Sequence, residues 1–329
     1  MRPTQSDVHV NRPLSSILVA FMQSASGFVA TDVFPNVPVP NKTNSYYLWD
    51  RQDFFRVEAL ERAPGAPSEG GSIALSTDTY DAKEYAVHYD VYDPIRDNAD
   101  NELDLDGAAA EYVAQQLLLK REAVFFSTFM ATSTWTGGSG GATDQTGVAG
   151  TPGTNGFKQW NDAASTPIED VRAQIVAIAE KTGYRPNVLT IGAETWAALV
   201  DHPDILDRIK YTQKGVVSMD LFASLLGLDK VVVGWATRNT AEQGATAAYD
   251  FFASKSALLT YSAKAPSLMA PSAGYTFAWT KRFGNGPDGQ RIKKFRIEER
   301  EADRIEGQIN FAMKVVASEL GCFFATCVA

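Results

Sequence analysis

The run from about Asp106 to about Thr132, DGAAAEYVAQQLLLKREAVFFSTFMAT, constrains this chain more than any other stretch. It reads as one helix, roughly 40 Å long at 1.5 Å per residue. A compact chain of 329 residues has a radius of gyration of about 20 Å, so such a helix crosses most of the molecule. On a helical wheel Tyr112, Leu119, Phe126 and Met130 share one face, and Val113, Leu117 and Val124 share another. Gln116, Lys120 and Ser127 form a polar seam between them. A helix laid on one core shows a single apolar stripe. Two stripes predict a spine with layers packed on both sides; the alternative is an ordinary buried helix of a large domain.

The acidic lead-in DPIRDNADNELDLDG offers Asp100, Asp104 and Asp106 as N-cap candidates. Its spacing fails as a calcium loop, because counting from Glu102 the closing position is Val113 and not a glutamate.

Before the spine lie two unusual regions. Pro35, Pro38 and Pro40 enforce extended backbone. Residues 1–45 therefore read as an N-terminal arm, with a short helix over Leu14–Met22, lying across its own domain or a neighbour's. In residues 46–92, Tyr46–Leu60 is aromatic and β-branched in places. Tyr85, Val87, Tyr89 and Val91 alternate with Glu84, Ala86, His88 and Asp90 at strand period. The turn-rich RAPGAPSEGGS lies between them. Together they predict a long two-stranded hairpin. A lone hairpin is marginal in water and exposes edges, so it calls for a neighbouring chain to dock on. The alternative places these strands in a sheet of their own domain. Trp49, Phe54 and Phe55 lie in no basic run that would grip nucleic acid, and read as packing into a neighbour.

After the spine comes the Gly/Thr/Ser loop 135–156. Its Gly137-Gly138-Ser139-Gly140-Gly141 matches the nucleophile-elbow pattern literally, but no strand precedes it and more glycine follows. Residues 160–255 have α/β texture. A helix opens at Thr166-Pro167 and ends at Gly183, strand Val188–Ile191 follows, and helices over Glu194–Val200, Asp204–Lys210 and Asp220–Leu226 lead to strand Lys230–Val233. Strand Ala257–Tyr261 comes next. The tail is β-rich, with Tyr275–Phe283 and Arg291–Ile297 expected to form a hairpin across GNGPDG, then Ile309–Met313 and Phe323–Val328.

Composition narrows the chemistry. The net charge is −9 and no basic block occurs, so tight binding of a phosphate backbone is not expected. Cys322 and Cys327 lack CxxC spacing and read as reduced core thiols of a protein made in a cytoplasm. His9, His88 and His202 have no partner at triad or metal spacing. No catalytic, cofactor-binding or metal-binding residue is assigned, and no apolar run is long enough for a membrane.

Several motifs, in order, resemble one family. Arg62-Ala63-Pro64-Gly65, Tyr80 and Tyr85-Ala86-Val87 come first, then Asn98-Ala99-Asp100 and Lys120-Arg121-Glu122. The most specific run is Gly183-Tyr184-Arg185-Pro186-Asn187-Val188-Leu189, followed by Gly192, Trp196, Leu199 and His202-Pro203-Asp204-Ile205. Leu225-Leu226-Gly227 through Val231-Val232-Val233-Gly234 continues it. After about residue 30 the chain resembles the major capsid proteins of tailed bacteriophages, with the Hong-Kong-ninety-seven-type fold.

The resemblance implies an α+β fold. The N-terminal arm would be residues 1–45 and the extended β-hairpin loop 46–92. A peripheral domain with spine helix and β-sheet would take 93–159 and 256–329, and an axial α/β domain 160–255. It implies a homo-oligomer of hexamers and pentamers forming an icosahedral shell in the virion, assembled in host cytoplasm, around weakly contacted double-stranded DNA. A portal and a decoration protein are further implied partners. Because the arm follows Met1 almost directly, a separate scaffolding protein is expected instead of an internal one. The subunit-interface residues it implies are Trp49, Phe54, Phe55, Arg62, Pro64, Gly65, Tyr80 and Lys83. No motif marks Lys83 for crosslinking. An encapsulin compartment shares the fold; an α/β enzyme or ligand-binding domain on residues 160–255 is the reading from another class.

Overall fold

A computed structural model describes residues 23, 27–49, 51–59, 61, 62, 64, 65, 67, 68, 70–99, 104–139, 144–209, 217–266, 271–282 and 289–329. Elements are numbered along the chain. The Leu14–Met22 helix and His9 lie outside the described residues.

The sheet under the spine is built on β14 (Ala302–Val315), a strand of 14 residues. β4 (Lys83–Tyr92) pairs antiparallel along one edge, from Tyr92↔Ala302 to Lys83↔Phe311. β12 (Gly274–Trp279) and β13 (Gln290–Ile297) follow one another along the opposite edge, with Ala278↔Phe311 and then Gln290↔Ile309. β1 (Asn36–Val39) runs parallel beside β12, so this part of the arm lies across its own chain.

Two expectations are corrected here. β12 and β13 are successive segments on one edge of β14 and do not form a hairpin with each other. Arg282, just after β12, reaches Glu84 on β4 at 2.9 Å; Asn285-Gly286 is outside the described residues. The strand Tyr85–Val91 is likewise not an arm of the projecting hairpin but part of β4 in this sheet. Strand period tells which face a residue takes, not which strand it pairs with.

The spine is α3 (Leu105–Phe129), 25 residues. Asp104 caps it by accepting from Gly107 N at 2.8 Å. It ends three residues before Thr132, where Trp135 folds back and donates its indole N–H to Phe129 O at 2.6 Å. That bond satisfies a carbonyl the helix end leaves orphaned. Two buried stripes exist only in the C-terminal half. Early on, Val113 and Leu117 bury on the sheet while Tyr112 is 46% exposed. From Arg121 on, Arg121, Glu122, Phe125, Phe126 and Phe129 are all buried. The sheet covers one side there and the arm residues Val29, Ala30, Val33 and Phe34 cover the other.

A second, six-stranded sheet has the order β6 (Gly156–Lys158), β5 (Asp144–Val148), β15 (Gly321–Ala325), β11 (Ala257–Thr260), β7 (Val188–Gly192), β8 (Lys230–Gly234). One face packs on α4 (Pro167–Thr182), α5 (Ala193–Val200), α6 (Pro203–Ile209) and α7 (Met219–Leu226) through Ile168, Ile178, Leu189, Leu199 and Phe222. The other face, through Val188, Leu258 and Phe323, joins the core around the end of α3. This layer is wider than residues 160–255, since β5, β6, β11 and β15 come from outside that range. Two parallel strands, β7 and β8, are too few to cover four helices. β9 (Thr237–Asn239) and β10 (Tyr249–Phe251) form a small separate hairpin.

Candidate subunit interface

The projecting element is the hairpin of β2 (Thr43–Trp49) and β3 (Leu75–Asp81), in register from Thr43↔Asp81 to Trp49↔Leu75. Alternation splits its side chains. At the root the inward face packs on the main sheet. Tyr80 stacks on Phe277 with centroids 4.7 Å apart, and Tyr46 lies 5.5 Å from the same ring. The Tyr46 hydroxyl donates to Asp78 Oδ2 at 2.6 Å, and Lys314 Nζ donates to the same oxygen at 2.9 Å. These two donors hold the Asp78 carboxyl down at about 2. Burial, with the carboxylate beside it, pushes the Tyr46 phenol up.

Beyond the root the hairpin has no sheet beneath it. Asp53 in α1 (Arg51–Phe55) accepts from Ala74 N at 2.6 Å and ties the two arms together. Val57 is 88% exposed and Tyr47 60%, and Phe54, Phe55, Ile73 and Leu75 are also exposed. The Phe55 ring touches the end of α4 at Gly183. Burying the open part of each such side chain gains on the order of 1 kcal/mol, so the patch has enough apolar surface to hold a partner.

The expected interface residues divide. Phe54, Phe55, Arg62, Pro64 and Gly65 are exposed on this segment, with Gly65 at φ 83°. Trp49 stands opposite Leu75 at the distal end of β2. Lys83 is exposed at the start of β4, two residues after the hairpin arm β3 ends. Tyr80 is a correction: only 5% exposed, it is buried in its own subunit, its hydroxyl donating to Asn41 O at 3.2 Å. Tyr47, Val57, Ile73 and Leu75, which the sequence does not single out, are exposed on the same segment; Tyr47 stands one residue from the inward Tyr46.

Elsewhere the chemistry is structural. His202 Nδ1 accepts from Asp204 N at 3.2 Å, and its Nε2 lies 3.1 Å from Asp162 O and 3.0 Å from Ser165 Oγ. The Ser165 hydroxyl itself donates to Asp162 O at 2.8 Å, so no carboxylate orients the ring and no free nucleophile meets it. A groove of about 670 Å³ runs between α4 and α7, but its Arg172 and Arg185 already donate to Leu225 O and Leu226 O. Cys322 and Cys327 are buried, and burial pushes the Cys322 thiol up to about 12. Among the described residues no cluster of His, Cys, Asp and Glu is placed to hold a metal ion, and no helix is long and apolar enough to cross a membrane.

Comparison with known proteins matches this layout. Residues 149–267 fit the family model described as phage major capsid protein E. The major capsid protein of Burkholderia phage BcepMu is 26% identical over 215 residues, and the match spans 64% of this chain and 64% of that relative. The chain is similar in sequence to tailed-phage major capsid proteins. A phage-related protein of Bordetella bronchiseptica RB50 shares the fold with a TM-score of 0.67 at 19% identity, over 93% of this chain and 94% of its own. The capsid structure of cyanophage P-SCSP1u gives 0.60 at 12% identity, over 99% and 98%. In these terms α3 is the spine helix of the capsid fold, and the β2–β3 hairpin with α1 is its extended loop.

Proposed function

We propose that this chain is the repeating subunit of an icosahedral shell that encloses the double-stranded DNA of a tailed phage. Copies would close into hexamers and pentamers, and the hairpin of each would lie on its neighbour. The observation that carries this is the hairpin: its root is fastened by Tyr46, Tyr80, Asp78 and Lys314, while Tyr47, Val57, Ile73 and Leu75 stay open. Side chains of that kind need a partner, and a second copy provides one at every position of a ring.

In this reading catalysis plays no part; the work is assembly and containment. A separate scaffolding protein and a portal are its assembly partners in the host cytoplasm, and a decoration protein would bind the finished shell. The net charge of −9 supports weak contact with the packaged genome.

Electron microscopy of the purified chain, expressed with and without its neighbouring genes, tests the proposal. Rings, tubes or closed shells are expected, and packaged nucleic acid in the native particle separates a virion from an enzyme-filled compartment. A monomer under every assembly condition would overturn it.

A further inference from the structure

The Phe55 ring stands apart from the other apolar side chains of the hairpin tip, because it touches its own subunit. Its far edge rests on Gly183, the left-handed residue that ends α4 at φ 70°, with Cζ 3.2 Å from where a Cβ would stand. A side chain at that position would crowd the ring, and the backbone angle already favours glycine. The seat is rigid. Thr182 Oγ1 donates to Ile178 O at 2.6 Å, the Tyr184 ring lies 5.1 Å from that of Tyr261, and Arg185 donates to Leu226 O at 3.2 Å.

The tip that carries Phe55 is tied to both arms of the hairpin. Asp53 Oδ2 accepts from Ala74 N at 2.6 Å, and the Glu58 carboxylate lies against Gly71 of the opposite arm. Whatever holds Phe55 therefore also holds Ile73 and Leu75. The paired arms have seven residues each, a length of about 20 Å. A ladder of that length, fastened only at its root by Tyr46 and Tyr80 on Phe277, pivots there, and a small rotation carries the tip through several ångström. A second contact at the far end fixes its direction. The seat and the open patch do not compete: Phe54, Val57, Ile73 and Leu75 stay exposed while Phe55 touches Gly183, and Phe55 itself is half exposed.

We propose that Phe55 is a positioning residue for assembly: seated on Gly183 of its own subunit, it braces the hairpin before a neighbour arrives. This rests on the shell reading above and concerns the single chain. A loose hairpin has to be ordered at the moment of contact, which weakens the contact, whereas a braced one arrives ordered. Because seat and patch are different surfaces, the brace stays closed in the shell. Phe55 then acts within its own chain, and not as the side chain packed into a neighbour that the sequence suggests.

Cys322 and Cys327 are buried, so cysteines introduced at the exposed Ser72, Glu180 and Phe55 take labels and linkers. Nitroxide pairs at Ser72→Cys and Glu180→Cys report the direction of the hairpin in the full-length monomer. One narrow distance distribution is expected with Phe55 in place and with Phe55→Leu. Phe55→Ala should give a distribution about twice as wide, with an unchanged urea midpoint, because the ring orders the hairpin and does not build the core. Assembly is then followed by sedimentation and electron microscopy for Phe55→Cys/Glu180→Cys, unlinked and joined by a short bismaleimide. The unlinked chain should need on the order of tenfold more protein than wild type for half-maximal assembly, and the link, which restores the position but not the ring, should bring it back to within about twofold. An equal width for Phe55→Ala, a lowered urea midpoint, unimpaired assembly of the unlinked chain, or a link that gives no rescue would overturn the brace and leave the shell reading intact. Absence of wild-type particles would sink the shell reading and this proposal with it.

Discussion

Glu122 holds the arm to the spine. Its two carboxylate oxygens accept from Val29 N at 2.9 Å and Ala30 N at 3.0 Å, in a site closed to water. Burial pushes the carboxyl up to about 7, against the two amides and the Arg121 charge, which pull it down. Asp32 of the arm pushes it the same way as burial. Because the folded value lies above the ordinary 4.5, the associated stability is complete below about pH 4.5 and is lost as pH rises through about 7. The difference is about 3 kcal/mol. Urea unfolding between pH 5 and 8 should show this fall, and Glu122→Gln should flatten it while losing about 1 kcal/mol for the amide its nitrogen cannot serve. Asp78 runs the other way. Its lowered carboxyl supports the hairpin root above about pH 4, and that support fades as pH falls through about 2. Solvent screening limits it to roughly 1 kcal/mol. The cap Asp104 was legible in the sequence because its partner, Gly107, is three residues on. Glu122 was not, because its partners lie 93 and 92 residues away in the arm. In the sequence it reads as one charge in Lys120-Arg121-Glu122.

The contact between spine and sheet is decided at Gly307. A Cβ there would overlap Val113 Cγ1 and come within 2.8 Å of Leu117 Cδ1. The bare backbone of β14 lets α3 settle onto the strand. Gly307→Ala should therefore cost about 1–3 kcal/mol through overpacking, read as a lower denaturation midpoint with an unchanged slope. Trp135→Phe keeps most of the packing around Phe34 and Phe129 but removes the bond to Phe129 O; a loss of about 1–2 kcal/mol is expected in the same assay. The helices were readable from caps and stops, such as Thr166-Pro167 before α4 and the left-handed Gly183 after it, at φ 70°. Strand partners were not. A Gly-rich turn signal between two strands fits a hairpin and an excursion from one edge equally well, and only the long β14 distinguishes them.

At the scale of the whole molecule, the chain contains one part that is complete and one that is not. The two sheets share cores with α3 and the arm. The hairpin beyond its root keeps Tyr47, Val57 and Leu75 in solvent, and among the described residues no strand pairs with the second edge of β13. The order of parts was visible in the sequence. The membership of the second sheet was not, because β15 at the end of the chain pairs both with β5, just after the spine, and with β11. Pairings that distant leave no local pattern.

The most direct measurement is sedimentation velocity of the full chain beside its Tyr47→Asp/Leu75→Asp variant, with circular dichroism and urea unfolding on both. Since both side chains are exposed in the single chain, the variant should unfold within about 0.5 kcal/mol of wild type per site. Wild type is expected to sediment as large closed particles and the variant as a folded monomer. A wild type that stays monomeric, or a variant that assembles as fully as wild type, would contradict an assembly built on the hairpin.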